Sequence, residues 1–360
     1  MPLIRFVARN FRNLKPLEVH WAPGLNVIEG ENAQGKTNIL EAVYFLANGR
    51  SFRTPESENL IAFGESSAEG LTDLQNEDLT HRLEFHLDAE GRQTLLQGKR
   101  LASLQKLHEL MRVLVFTPES STLMRGTPGQ RRRYFDQAIS HHSASYGPEL
   151  ARYSRILRQR NLCLENHSSS DVLAGFNEQW AQSALSLRDE RELYLEKLLP
   201  HWRKRWEEIS GMRGLLSASW ESRLPWQPGE NKASWIEKLE DTAPLERRVK
   251  RTLLGPHRDD LLVTLDQHAV RVSASQGQLR LLVIALKLAE ADLFQEKTGR
   301  APIFLLDDLG SELDRTRQDR LLGMLGDIHS QTLLTTAQAG TFSRLHAQTY
   351  RVQEGQLSPF

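Results

Sequence analysis

The chain has 360 residues, 39% hydrophobic and 26% charged, a composition that supports a globular core without disulfide or metal staples and excludes a disordered chain. Lys plus Arg and Asp plus Glu stand at 46 each, so no global field attracts a polyanion, and any nucleic-acid contact must come from local patches. The single cysteine, Cys163, excludes an intramolecular disulfide, and no run reaches the roughly 18 apolar residues of a membrane span or the apolar core of a signal peptide. A cytoplasmic protein without a membrane domain is expected.

Residues 3–8, 17–21 and 25–28 are short β-rich runs divided by Arg9 to Asn13 and by Pro23-Gly24, and they read as strands. A glycine-bearing stretch follows, after which Ile39, Leu40, Val43, Phe45, Leu46 and Ala47 keep helical spacing up to a stop at Asn48-Gly49. Leu83, Phe85 and Leu87 alternate with polar residues, and Val113-Leu114-Val115-Phe116 is a buried-strand run ending near Pro118. From 130 to 199 the pattern is mostly helical. Leu150, Tyr153, Leu157 and Leu164 share one face, and Leu173, Phe176, Trp180, Ala184 and Leu187 share another, with Ser168 to Ser170 as the break; two antiparallel helices are expected. Trp202, Trp206 and a segment around Pro225 and Pro228 lead to a further helix near 233–253, closed by Gly255-Pro256. The expected organisation is an α/β lobe split into 1–117 and 255–360, with a mainly helical lobe inserted at 118–254. No repeat of 20–50 residues is present, which excludes solenoids and propellers.

The stretch Gly30-Glu31-Asn32-Ala33-Gln34-Gly35-Lys36-Thr37, followed by Asn38, fits the P-loop pattern. Its glycines let backbone N–H groups wrap phosphates, Lys36 reaches the β and γ oxygens, and Thr37 ligates magnesium. Ile303-Phe304-Leu305-Leu306 makes a buried strand that delivers Asp307 and Asp308 at its end. Asp307 is expected to hold magnesium through water, and Asp308 to polarise the attacking water or accept its proton. Between these halves, Ser275-Gln276-Gly277-Gln278 opens an apolar helix, where a hydroxyl, backbone N–H groups and the helix dipole favour a γ-phosphate.

The order of P-loop, signature, acidic strand and Ser311-Glu312-Leu313-Asp314 resembles the head of ABC-type ATPases. That resemblance implies a signature acting in trans, with Ser275, Gly277 and Gln278 on the partner's ATP, and hence a homodimer with two composite sites. Finer motifs narrow it. Asn10-Phe11-Arg12-Asn13-Leu14, Leu40-Glu41-Ala42 behind the P-loop, Gly49-Arg50-Ser51-Phe52-Arg53-Thr54, Pro118-Glu119, Gly126-Thr127-Pro128 with Arg131-Arg132-Arg133-Tyr134-Phe135-Asp136, and Gly255-Pro256-His257-Arg258-Asp259-Asp260 resemble the RecF family of bacterial recombination mediators. The resemblance implies a head related to chromosome-organising ATPases, with Arg12 added to the nucleotide-binding residues. It also implies an ATP-driven dimer on single- or double-stranded DNA at gaps or junctions, and cooperation with RecO and RecR to load RecA. Two departures stand out from the wider ABC pattern. Asp308 replaces a glutamate, and the strand ending at Thr335-Thr336 lacks a switch histidine, so slow hydrolysis acting as a switch is expected. The alternative is a transporter-associated ABC ATPase subunit.

For DNA, the candidates are Arg131, Arg132 and Arg133, the stripe holding Arg155 and Arg158 beside Arg152 and Arg160, and Arg258. Spacings of three set such guanidiniums along one helical face, suited to phosphates without base readout. His141-His142 and Cys163 with His167 lack the spacing of a zinc site; beyond ATP and magnesium no cofactor is expected.

Overall fold

The computed structural model describes residues 2–76, 79–222, 231–309, 313–338, 340–342 and 346–359. Its contacts divide the chain into two units, one of residues 1–121, 205–212 and 276–360, the other of 122–204 and 213–275. The segment around Pro225 and Pro228 lies outside the described residues, as do Gly310, Ser311 and Glu312. Residues 255–275, which the sequence reading assigns to the last segment, fall in the second unit because a strand there pairs inside it.

The first unit holds two six-stranded sheets. One is antiparallel, built from β1 (Leu3–Arg9), β2 (Leu17–His20), β4 (Ala68–Asn76), β5 (Leu79–Asp88), β6 (Gly91–Leu96) and β7 (Lys99–Arg100). Along β5 the alternation puts Leu83, Phe85 and Leu87 in the core. In the other sheet β14 (Gln348–Gln353), β3 (Leu25–Glu29), β13 (Gln331–Thr336), β12 (Ile303–Leu306) and β8 (Val113–Phe116) run parallel, and β15 (Gln356–Pro359) closes one edge antiparallel. Strands covered on both faces need apolar runs, and β8 and β12 are buried at every position. The more polar β13 is equally buried because the Gln331 amide bonds Leu3 and Ala22 backbone groups at 2.8 Å.

Helix α1 (Lys36–Asn48) packs against strands of both sheets. Eleven of its thirteen residues are buried, Lys36, Glu41 and Asn48 among them, so it is covered around nearly its whole circumference. Gly49, at φ 65°, ends it by donating to Phe45 O at 2.7 Å. Phe11, Phe45 and Phe85 meet edge-on or tilted at centroid distances of 5.0–6.1 Å, all fully buried; truncating any one to alanine should cost about 3–5 kcal/mol.

The second unit is mainly helical. Helix α4 (Pro128–His142) starts with a capping box between Thr127 and Gln130 and a proline in its first turn. Helices α5 (Tyr146–Glu165) and α6 (Ser170–Ser210) are antiparallel, since Glu149 meets Ser183 while Arg160, a turn from the end of α5, meets Asn177. The expected break falls between them at 166–169. Helix α6 does not stop at 199 but runs on through an exposed Pro200, with Leu198, Trp202, Trp206 and Ile209 buried along it; a buried stripe outweighs the one N–H that proline removes. Helix α7 (Lys232–Val249) ends four residues before the expected limit, at Lys250 with φ 57°.

The sequence reading missed a three-stranded antiparallel sheet of β9 (Leu216–Glu221), β10 (Asp260–Leu265) and β11 (His268–Ala269). The Gly255 to Asp260 stretch feeds it and ties the unit together. A Cβ on Gly255, at φ 116°, would lie 2.4 Å from the Trp180 ring. His257 Nδ1 lies 2.6 Å from the Tyr153 hydroxyl, and burial holds the imidazole neutral by lowering its pKa to about 4. Asp259 meets Arg188 and Arg191, and Asp260 meets Arg131.

Candidate functional site

Register brings the carboxyl ends of the parallel strands to one edge: Thr336 faces Glu29, and Leu306 lies between Leu334 and Phe116. Open α/β sheets bind ligands at such an edge. The P-loop leaves β3 there and enters α1. Gly30 has no room for a side chain, since a Cβ would lie 2.5 Å from Val352 O; Ala33 and Gly35 take φ of 65° and 108°. The loop is anchored from outside. Gln34 O accepts from Gly355 N at 3.0 Å, Gln34 Oε1 accepts from Glu354 N at 2.6 Å, and Asn38 donates to Asn13 Oδ1 at 2.6 Å.

Lys36 Nζ donates to Gly30 O at 2.6 Å and Glu31 O at 2.7 Å. The ammonium thus sits on neutral carbonyls, ready to exchange for stronger acceptors. Burial lowers its pKa against the opposing pull of Asp308 and Asp307. Thr37 Oγ1 lies 2.9 and 3.0 Å from the two oxygens of Asp307, and Thr335 Oγ1 donates to Asp307 Oδ1 at 2.7 Å while accepting from Asp308 N at 2.9 Å. Burial raises the Asp307 pKa; the Thr335 and Thr37 bonds lower it, and the charges of Asp308 and Glu119 raise it further. Asp308 takes φ 49°, a left-handed geometry that a non-glycine residue holds at a cost. Lys36, Thr37, Asp307 and Asp308 share a cleft of about 720 Å³ with Arg12, Asn32, Ala33, Gly35, Asn38 and, farther along, Asn59, Ile61 and Phe63, a size suited to a small-molecule ligand.

Three motifs quoted apart in the sequence converge on one buried carboxylate. Glu41, fully buried, receives Arg12 at 2.9 and 3.0 Å, Arg53 at 3.3 Å and the Ser51 hydroxyl. Arg12 therefore reaches the cleft already oriented, with a third bond to Asn59 O at 2.7 Å.

The signature residues are placed otherwise. Ser275 is exposed just before helix α9 (Gln276–Thr298), and Gly277 and Gln278 are half-buried within its first turn; neither of these two lines the cleft of its own chain. Of the loop after the acidic strand, Asp314 caps the helix Arg315–Asp327 by accepting from Arg317 N.

The DNA candidates divide sharply. Arg155, Arg158, Arg133 and Arg258 are exposed. Arg131 must be corrected: it is 3% exposed, forked onto Asp260 at 2.7 Å and bonded to Gly126 O, so its guanidinium is not available to a phosphate. Arg132 is half-buried and donates to Asp259 O. Arg160, read on the same basic helix, is 2% exposed and paired with Glu246.

Sequence reasoning missed Thr335. The strand ending was read at Thr336, yet the Thr336 hydroxyl accepts from Gln338 N, and it is Thr335 that supports both acidic residues. The available signal was a threonine one residue past the register partner of Leu306.

The family model for the RecF/RecN/SMC N-terminal domain matches residues 2–357. The DNA replication and repair protein RecF of Lactobacillus delbrueckii subsp. bulgaricus is 37% identical over 354 residues, covering 96% of this chain and 93% of that protein. The RecF of Streptococcus uberis is 36% identical, covering 97% of each. A solved structure of the recombination mediator protein RecF-ATPrS in the RecFOR pathway superposes with a TM-score of 0.90 at 29% identity, covering 100% of this chain and 98% of that one. An Smc head bound to the C-winged helix domain of ScpA shares the fold, with a TM-score of 0.59 at 16% identity. Among the described residues no helix is long and apolar enough to cross a membrane. With an ABC-type ATPase head, a P-loop cleft and relatives matched over nearly its full length, the chain belongs to the RecF family.

Proposed function

We propose that this chain is an ATP-switched DNA-binding protein of recombinational and gap repair, which dimerises with ATP on DNA and works with RecO and RecR to assist RecA loading. The observation that carries the reading is the contact of the Thr37 hydroxyl with the Asp307 carboxylate beside Lys36. It supports a triphosphate in the cleft, as does the description of solved RecF relatives with ATP. Thr37 and Asp307 offer the hard oxygen donors that suit magnesium, the latter through water. When bound there, the ion supplies positive charge to the β and γ oxygens and offsets the burial of Asp307.

Each residue of this chain then has a task. Lys36 exchanges the Gly30 and Glu31 carbonyls for phosphate oxygens. Gly30 and Gly35 let the backbone approach, and Glu31 through Gln34 line the phosphates with N–H groups. Arg12 adds a guanidinium held by Glu41, and Asn38 keeps the loop against Asn13. Asp308, positioned through its backbone by Thr335, orients or deprotonates water. A carboxylate one methylene shorter than glutamate makes hydrolysis slow, which suits a switch. Ser275, Gly277 and Gln278 act on the ATP of a second copy. Arg133, Arg155, Arg158 and Arg258 supply DNA phosphate contacts.

Sedimentation with ATP and magnesium, with and without duplex DNA, tests the reading. Parent protein should dimerise with ATP, and Ser275→Arg should bind ATP yet stay monomeric, because bulk and a cation stand where the partner's phosphate docks. Parent protein that stays monomeric in ATP with DNA present, or a mutant that dimerises at parental concentration, refutes the composite site.

A further inference from the structure

Two of the sequence motifs, Gly126 to Asp136 and Gly255 to Asp260, supply no residue to the cleft lining, yet they meet inside the helical unit. Arg131 joins them. Its fork closes on Asp260 at 2.7 Å, and its Nη1 donates to Gly126 O at 2.7 Å and Met124 O at 3.3 Å. Those carbonyls flank Arg125, the last residue of the short helix α3 (Thr122–Arg125), and Gly126 N donates back to Thr122 O at 2.7 Å. The turn is tight: a Cβ on Gly126 would lie 2.6 Å from Gln130 Oε1 and 3.0 Å from Thr122 O. The Arg125 backbone is thus fixed on both sides. Its side chain is exposed, and Nη2 donates to Ala274 O at 2.6 Å. Ala274 is buried and ends α8 (Val270–Ser273) by donating to Val270 O at 3.1 Å. The Ala274 carbonyl and the Ser275 N–H lie on opposite sides of one trans peptide plane. A guanidinium on the oxygen therefore fixes where the Ser275 N–H points and where its Cα begins, and it polarises that N–H into a stronger donor.

We propose that Arg125 is a positioning residue of the signature: by holding the Ala274–Ser275 peptide it aims Ser275 at the phosphate of a second copy's ATP. The inference rests on the composite site proposed above and names the residue that sets its geometry. Arg125 acts through Ser275 and not on the nucleotide of its own chain. The buried Arg131–Asp260 pair beneath it belongs to the fold; the exposed Arg125 guanidinium passes that fixed position on to the signature.

Full-length Arg125→Ala should bind ATP as the parent does and keep its urea midpoint. Turnover with ATP, magnesium and duplex DNA should fall about 10–100-fold, the effect of misplacing a group at a reacting centre by about 1 Å. Mixing then assigns the defect to one side of the site. Asp308→Asn chains keep the P-loop and the signature but lack the carboxylate that prepares water. In a mixed dimer with Arg125→Ala, the Asp308 of one chain works against the intact signature of the other, so one of the two sites is whole. Turnover should return to about a quarter of the parent rate when half of the dimers are mixed. Ser275→Arg mixed with Asp308→Asn is the reference, and recovery in both mixtures supports the proposal. Recovery with Ser275→Arg but not with Arg125→Ala overturns it and leaves the composite site standing; recovery in neither overturns the composite site and the proposal with it. An Arg125→Ala protein that turns over ATP at the parent rate, or whose urea midpoint falls together with its turnover, also overturns the proposal, by making Arg125 idle or a part of the fold.

Discussion

In the helical unit, Arg160, Arg188 and Arg191 are at most 4% exposed, and each meets a carboxylate: Glu246, Asp259, and Asp136 with Asp259. Arg188 and Arg191 also lie 4.7 and 4.8 Å over the rings of Trp235 and Trp220. In the α/β unit, Lys36 is 8% exposed and rests on two backbone carbonyls, and Asp307, 7% exposed, is held by two threonine hydroxyls. Opposite charges close on each other and fix a fold. Charges held by neutral dipoles keep their attraction for something that has yet to arrive. Burial alone does not separate the two situations; the partner does.

The sharpest way to break this distinction is to remove one half of a closed pair. Among the described residues, Arg160→Ala leaves Glu246, fully buried, with the Leu253 N–H at 2.7 Å, and also abandons Asn177 and Thr252. Stability should fall by about 3–5 kcal/mol, read from urea unfolding followed by tryptophan fluorescence, since Trp180 and Trp235 lie in the same unit. A loss below about 1 kcal/mol would mean that the pair does not hold the lobe.

Lys36 should behave in the opposite manner. Among the described residues Lys36 holds backbone carbonyls, and in Lys36→Arg a planar fork cannot replace a point charge at the phosphates. ATP turnover should drop on the order of 10²-fold, while the urea midpoint moves little. A variant that turns over ATP at the parent rate would show that the cleft has been assigned to the wrong ligand.

Sequence carried the site's contiguous parts and lost those that depend on register. Residues 30–37 are legible because their chemistry is local: glycine where Val352 O presses in, a lysine and a threonine at a helix start. Strands β8 and β12 are legible because burial on both faces demands unbroken apolar runs. Thr335 is not, since its hydroxyl reaches Asp307 only through the pairing of β12 with β13. Nor is the convergence of Arg12 and Arg53 on Glu41, which needs a loop to fold back. The arginine clusters mislead for a geometric reason. Arg158 and Arg160 differ by about 200° around a helix, so one is exposed and the other lies in the core.

Thr335→Val tests whether a neutral dipole really readies a carboxylate. It keeps the shape of a fully buried side chain but withdraws a donor from Asp307 and an acceptor from the Asp308 N–H. The magnesium concentration that supports half-maximal ATP turnover should rise about 10–100-fold, and Thr335→Ser should restore it. Restoration by serine with failure by valine assigns the effect to the hydroxyl; equal behaviour of the two assigns it to packing.

The smallest effect is expected where the charge stands in solvent. Arg155 and Arg158 are exposed on α5, one turn apart. Arg155→Ala and Arg158→Ala should each leave stability within about 0.5 kcal/mol of the parent, against the several kcal/mol expected at Arg160 two residues on. What should change is the salt dependence of duplex binding. Each phosphate contact releases condensed counterions, so removing one lowers the slope of log affinity against log salt by about 0.9, uniformly across DNA sequences. Titration of both variants between low and moderate salt reads this directly, and the pair together should lose about twice the slope of either alone. An unchanged slope makes the stripe a solvated helix face and leaves Arg133 and Arg258 as the exposed candidates still to be measured.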